Sequence, residues 1–294
     1  MNIKKYLSRP LTIITLAVLA GIILFGEHYI QIHKSANKSD PLAYASLISP
    51  LDRKPLPLPE KGGRTLKLPI LMYHHIGECP PNAGATRKGL TVSTVDFEQQ
   101  TKWLSENGFA SVSLKDVYLY SRGQISMPPK PIIFTFDDGY ADALENAIPI
   151  LQKFHFTGSF GIITQYPGQL QGTNLYASWQ QIAQAKDQGM EIVSHTQNHF
   201  DGKNPKFPAD YIFQNLSGSV ADIKNNLGIN TNILIYPYGH YTDTYIEQAK
   251  KTGFVMGVTV HEGKVINLDD LMRVPRLRVR GAETLQQFKE LIEK

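Results

Sequence analysis

Cysteine is nearly absent from this sequence: Cys79 is the only one among 294 residues. A single thiol excludes an intramolecular disulfide and any cysteine-rich metal site. It also lies far from the N-terminal apolar segment, so no lipid-anchor cysteine is available there. A long basic stripe interleaved with aromatics is missing too, and the formal net charge is only +4, part of it from Lys4, Lys5 and Arg9. No nucleic-acid partner is therefore expected. There is no internal repeat. Little of the chain reads as disordered, and with 42% hydrophobic residues it can form one large core.

One long apolar run is present near the front. Leu11–Phe25 is uncharged, mostly apolar, preceded by the basic flank and bounded by Glu27. Roughly 15 to 17 apolar residues is short for a bilayer span and long for a cleavable signal. The bulky Phe25-Gly26-Glu27-His28-Tyr29 that follows offers no small-x-small cleavage site, so residues 1–30 are expected to be a signal anchor, with a secreted form as the alternative. A basic flank retained in the cytoplasm would put everything after it outside the cytoplasmic membrane, in the periplasm or at the cell surface. Residues 31–68 shift to Ser, Lys and Pro, ending in Pro55-Leu56-Pro57-Leu58-Pro59-Glu60-Lys61-Gly62-Gly63, and read as an extended linker.

From residue 69 onward short apolar runs alternate with longer amphipathic ones. The pattern predicts strands at 69–73, 131–136, 158–163, 190–194, 232–236, 255–260 and 274–279. Helices are predicted at 94–107, 140–154, 177–188, 209–227, 242–252 and 283–293. Strands alternating with helices imply an α/β fold with a parallel sheet, and about seven units suggest closure into a barrel.

The most informative stretch is Ile132-Ile133-Phe134-Thr135-Phe136-Asp137-Asp138-Gly139-Tyr140. Its apolar β-formers suit a strand covered on both faces, and Gly139 lets the backbone turn sharply. Two acids are thus handed to the C-terminal end of a strand, where α/β enzymes gather their chemistry. A turn that caps the next helix would explain two adjacent acids equally well. A second apolar run, Glu191-Ile192-Val193-Ser194, ends on His195-Thr196-Gln197-Asn198-His199. On a helical turn, histidines four apart share a face; with one carboxylate they make the open three-ligand site of a hydrolytic Zn²⁺.

Thr135-Phe136-Asp137-Asp138-Gly139 and His195-Thr196-Gln197-Asn198-His199 resemble, in this order, the first two signature motifs of the polysaccharide deacetylases with a NodB-type domain, the family-4 carbohydrate esterases. The resemblance covers about residues 69–294, with Leu71-Met72-Tyr73-His74-His75-Ile76 and Tyr236-Pro237-Tyr238-Gly239 as further matches. It is greatest to the branch acting on poly-N-acetylglucosamine in biofilm matrices. It implies a distorted (β/α) barrel of fewer than eight units, and a metal-dependent hydrolase that removes N-acetyl groups from an N-acetylglucosamine polysaccharide. The cofactor implied is a divalent metal, Zn²⁺ with Co²⁺ or Ni²⁺ as alternatives. The partners implied are an N-acetylated polysaccharide and, through residues 1–30, the inner membrane.

Carried over residue by residue, the resemblance makes Asp138, His195 and His199 the metal ligands and Asp137 the base that takes a proton from the attacking water. Because successive side chains of an extended chain diverge, neighbouring acids can do different jobs. The Leu-then-His form of the family's last motif sits here before the first motif, as in the permuted biofilm branch, and gives His74 as the acid for the leaving amine, with His75 as its substitute. Pro237 and Tyr238 stand in the family's Arg-x-Pro-Tyr motif, whose tyrosine backbone N–H holds the oxyanion. Ile235 occupies the arginine position, and Arg276 is the candidate that replaces it to steady Asp137. The family's aspartate-plus-tryptophan motif is absent; Trp179 is expected to open a helix after Ser178 as N-cap. His240 and His261 read as ordinary loop histidines. Other readings stay open: peptidoglycan or chitin oligomers as substrate, a glycosidase pairing Asp137 with Glu191, or a non-catalytic glycan-binding domain.

Overall fold

Seven segments rich in β-branched and aromatic residues form parallel strands: β1 (Ile70–Tyr73), β2 (Pro131–Phe136), β3 (Ser159–Ile162), β4 (Glu191–Ser194), β5 (Ile233–Ile235), β6 (Met256–Glu262) and β7 (Val274–Arg278). The structure, a computed structural model, describes residues 64–293. Each strand pairs in parallel with the next in sequence, from β1 through to β7. β7 then pairs with β1 through Leu277↔Leu71 and Arg278↔Met72, which closes the ring. Between Val258↔Val274 and Glu262↔Arg276 the β6–β7 register slips by a bulge, so the barrel is distorted at this seam.

Strand periodicity sorts the core into two shells. Ile70, Ile133, Val193, Ile233, Ile235, Met256, Val258 and Val274 pack together inside the ring. The alternate residues Leu71, Tyr73, Ile132, Phe134, Phe136 and Phe160 face outward and join Phe97, Leu104, Leu144 and Leu151 from the surrounding helices. Those helices are α1 (Ala85–Leu90), α2 (Thr94–Glu106), α3 (Leu114–Ser121), α4 (Ala141–Lys153), α5 (Trp179–Asp187), α6 (Ala209–Leu227), α7 (Asp243–Thr252) and α8 (Leu285–Glu293). Ser93, Ser113, Ser178 and Thr242 cap α2, α3, α5 and α7 by accepting from a backbone N–H in the first turn. The N-terminus of α3 docks at the N-terminal end of the barrel, where the Glu191 carboxylate accepts from Leu114 N and Lys115 N at 2.9 and 3.0 Å.

The expected linker ends earlier than residue 68. Thr65–Lys67 pairs antiparallel with Val265–Asn267, and Leu68 is fully buried, so these residues belong to the folded body. Leu66 and Leu68 supply the apolar contacts that hold them there. The signal anchor at 1–30 and the rest of the linker lie outside the described residues. Among the described residues no helix is long and apolar enough to cross a membrane.

Candidate active site

The inward positions of the strands, extended one step past their ends, converge at one mouth of the barrel. Ile133 and Thr135 point inward on β2, and Asp137 is the next residue in that series; Glu191 and Val193 are followed in the same way by His195, and Ile70 and Met72 by His74. On β7 the series runs Val274, Arg276, Arg278.

After Asp137 the chain leaves the strand. Asp138 and Gly139 both adopt positive φ, 74° and 80°, which swings Asp138 across the mouth. Thr196 (φ 68°), His199 (φ 58°) and Tyr238 (φ 58°) do likewise, so four of the five non-glycine left-handed residues among those described cluster here. Such backbone costs about 1–3 kcal/mol per residue and concentrates where a site must be shaped.

The result is a tight carboxylate–imidazole set. Asp138 Oδ1 lies 3.1 Å from His195 Nε2 and 3.3 Å from His199 Nε2. The expected helical turn is not what joins the histidines. Residues 195–200 form an irregular loop, and the left-handed Thr196 and His199 fold it back, with Thr196 Oγ1 accepting from His199 N at 3.0 Å.

Lone pairs collide in this arrangement. His195 Nδ1 lies 2.8 Å from the Ile235 carbonyl oxygen, which can only accept, so the neutral ring carries its proton on Nδ1. Its Nε2 lone pair then faces Asp138 Oδ1, a buried oxygen without a hydrogen-bond partner. Three converging donor atoms, all within 4.8 Å of one another and short of positive charge, fit a divalent cation. Burial lowers the His195 pKa, but the hydrogen bond and charge of Asp138 and the charge of Asp137 outweigh it and hold it above the ordinary value.

Asp137 faces away from this set. Both its oxygens accept from Arg276, Nη1 to Oδ1 at 2.7 Å and Nη2 to Oδ2 at 2.8 Å. Arg276 is 0% exposed and is itself fixed by the Thr259 carbonyl and Thr135 Oγ1. Burial pushes the Asp137 pKa up, yet the charge and hydrogen bonds of Arg276 hold it below the usual carboxylate value.

The two adjacent histidines are sorted. His74 Nε2 stands 4.0 Å from Asp137 Oδ2, with its side chain 13% exposed to the mouth. Burial lowers its pKa; Asp137 and Asp138 counter this, while Arg276 and Arg278 add to the lowering. His75 turns the other way and pairs with Asp142 at 2.9 Å. Pro237 is buried in a 3-10 turn, and Tyr238, 56% exposed, packs edge-on against His199 with ring centres 4.5 Å apart.

The sequence model of the family described as polysaccharide deacetylase matches residues 124–257. YxkH of Bacillus subtilis (strain 168), whose name assigns it provisionally to the polysaccharide deacetylases, is 30% identical over 239 residues, 79% of this chain and 78% of that protein. This chain belongs to the polysaccharide deacetylase family. It is also 25% identical, over 84% of its length, to the poly-beta-1,6-N-acetyl-D-glucosamine N-deacetylase of Escherichia coli O157:H7. The match spans only about two fifths of that relative, 41%. Among solved structures, the Streptococcus pyogenes deacetylase PplD in complex with acetate superposes with a TM-score of 0.69 at 27% identity, over 79% of this chain and 100% of that one.

Membership makes the chain a hydrolase of the polysaccharide deacetylase type. The glycosidase pairing of Asp137 with Glu191 fails on position: Glu191 opens β4 at the opposite end of the barrel and is occupied with α3 and Ser159. Trp179 opens α5 behind the Ser178 cap, and His240 pairs with Asp201 at 2.8 Å, both in structural roles. Three neighbours of the site escaped the sequence analysis. Arg278 could have been found from its place two residues beyond Arg276, and Tyr140 from its place beside Gly139. Asp142 carried no signal, because only the tertiary fold brings His75 to it.

Proposed function

We propose that this chain is a metal-dependent deacetylase that hydrolyses the N-acetyl groups of an N-acetylglucosamine polysaccharide, poly-β-1,6-N-acetylglucosamine being the substrate favoured. The observation that carries the reading is the convergence of Asp138 Oδ1, His195 Nε2 and His199 Nε2 beside an Asp137 that Arg276 keeps ionised. The named activity of the Escherichia coli relative supports the choice of polymer.

Asp138, His195 and His199 would hold the cation, Zn²⁺ or another divalent ion that accepts nitrogen and oxygen donors. When bound, it supplies Lewis acidity, polarising the amide carbonyl and lowering the pKa of water. Amide hydrolysis then consumes one water and yields acetate and an amine. Asp137 takes the proton from the attacking water; the clamp of Arg276 holds it charged and aims it toward His74 rather than the metal ligands. His74 donates to the departing nitrogen, and its lowered pKa makes it the stronger acid for that transfer. The Tyr238 turn borders His199 and offers its backbone N–H and ring to the acetyl group.

In this reading the folded body from Thr65 onward is the catalytic domain, held outside the cytoplasmic membrane by residues 1–30. The test is acetate release from poly-N-acetylglucosamine and from peptidoglycan and chitin fragments, with and without chelator. Chelator-sensitive release from the first polymer supports the proposal. Release from peptidoglycan alone moves the substrate, and binding without turnover makes the chain a glycan-binding domain.

A further inference from the structure

His75 is not needed as an acid, since His74 occupies that place, yet it is among the most constrained side chains near the site. It is buried, and its ring stacks on Tyr140 with centroids 3.7 Å apart and planes 17° from parallel. Its Nδ1–H donates to both oxygens of Asp142 at 3.0 and 2.9 Å. Asp142 is held in turn by Arg87 Nη2 at 3.0 Å, and Arg87 spends its remaining nitrogens on Thr91 Oγ1 and Asn174 Oδ1. The imidazole is thus fixed on its edge by charge and presents a flat face to Tyr140.

Tyr140 is clamped from the other side as well. Its backbone bridges to Tyr176, and the two rings pack with centroids 5.0 Å apart. Only 7% exposed, it lies beside the Asp138 carboxylate, and burial together with that neighbouring charge raises the pKa of its hydroxyl, which stays a neutral donor toward Asp138. Asp138 needs such a tether, because its left-handed backbone projects it from a turn rather than from a strand. A carboxylate packed against a neutral donor is limited in how it can turn, and Asp138 presents Oδ1 toward His195 and His199.

We propose that His75 is a positioning residue that acts through Tyr140 on Asp138, with Asp142 and Arg87 locking the imidazole as a backing plate. The inference rests on the reading of Asp138 as a ligand of a divalent cation. Nothing in it requires His75 to touch substrate or change its protonation.

The test is the affinity of the full-length chain for Zn²⁺, measured by competition with a chromophoric chelator, with no turnover involved. His75→Gln keeps a donor for Asp142 but removes the flat face, and is expected to weaken Zn²⁺ binding about ten-fold, the scale of a lost ligand-orienting contact. Tyr140→Phe, which keeps the stack and loses the hydroxyl, is expected to do the same. His75→Phe keeps the stack and is expected to stay within about three-fold of the parent. The double variant His75→Gln/Tyr140→Phe should bind no more weakly than Tyr140→Phe alone, because both changes cut one chain of contacts. A merely structural role would lower the melting temperature without this pattern. Parent-like Zn²⁺ affinity in His75→Gln, or effects that multiply in the double variant, overturns this inference alone. A parent that binds no Zn²⁺ overturns it together with the metal-dependent function.

Discussion

Arg276 and Asp137, 139 residues apart in sequence, form a closed bidentate pair with N–O distances of 2.7 and 2.8 Å. Neither side chain has meaningful access to water. A pair of this kind is expensive to break from one side, since the surviving charge is left buried. Position 235 holds Ile235 on β5, and the guanidinium that meets Asp137 comes instead from β7, two strands further round the ring.

Replacing Arg276 by Met should therefore destabilise the protein by about 3–5 kcal/mol. Arg276→Lys should recover little, because an ammonium cannot span both carboxylate oxygens. Urea denaturation checks the first expectation. Acetate release by the folded Lys variant checks the second, and activity near the parent level would contradict the positioning role.

Asp137→Asn should lower acetate release about 10²- to 10⁴-fold, the usual range for losing a general base. Bound metal, measured by elemental analysis, should be unchanged because Asp137 is turned away from Asp138. Loss of metal together with activity would mean that the two acids share one task.

The Asp137 pKa lies below its ordinary value, so its contribution to stability is present above the unfolded-state pKa of about 3.9 and is lost as pH falls through the folded value. Thermal melts of parent and Asp137→Asn should differ most at neutral pH and approach each other below about pH 4. A gap that persists unchanged at acid pH would contradict this.

With His74 in its proposed role as the acid, kcat/KM should fall as pH rises through its pKa. Arg278 is one of the charges that lower that pKa. Arg278→Gln should move the alkaline limb of the pH profile upward, and a downward shift or none would remove Arg278 from the electrostatics of the acid.

Gly239 has φ 67°, and a Cβ there would meet Val260, whose backbone N would lie at 2.5 Å. Gly239→Ala should cost about 1–3 kcal/mol and displace the Tyr238 turn. Melting temperature and kcat should fall together; an unchanged kcat would show that the turn does not serve the reaction.

Much of this protein was readable locally. Strand periodicity placed all seven barrel strands to within two residues, and α6 came out as residues 209–227. Amphipathic spacing marked most of the helices, and Ser178 was readable as the cap of α5. The short α1 and α3 escaped because six and eight residues carry too little periodicity to stand out. The hairpin of Leu170–Gln171 with Asn174–Leu175 escaped for the same reason.

The sequence by itself determined which polar residues are delivered to the C-terminal ends of the strands. Asp137, Asp138, His195 and His199 each follow an apolar run, and strand alternation is a local property that decides which of them points inward. What only the tertiary structure decided is who meets whom. Closure of β7 on β1 delivers Arg276 to Asp137, and left-handed turns rather than a helix bring His195 and His199 to one carboxylate. The same packing separates His74 from His75, sending one to Asp137 and the other to Asp142 and Tyr140. These pairings join residues far apart in sequence, so no local pattern can encode them; ring closure and side-chain packing select the partners.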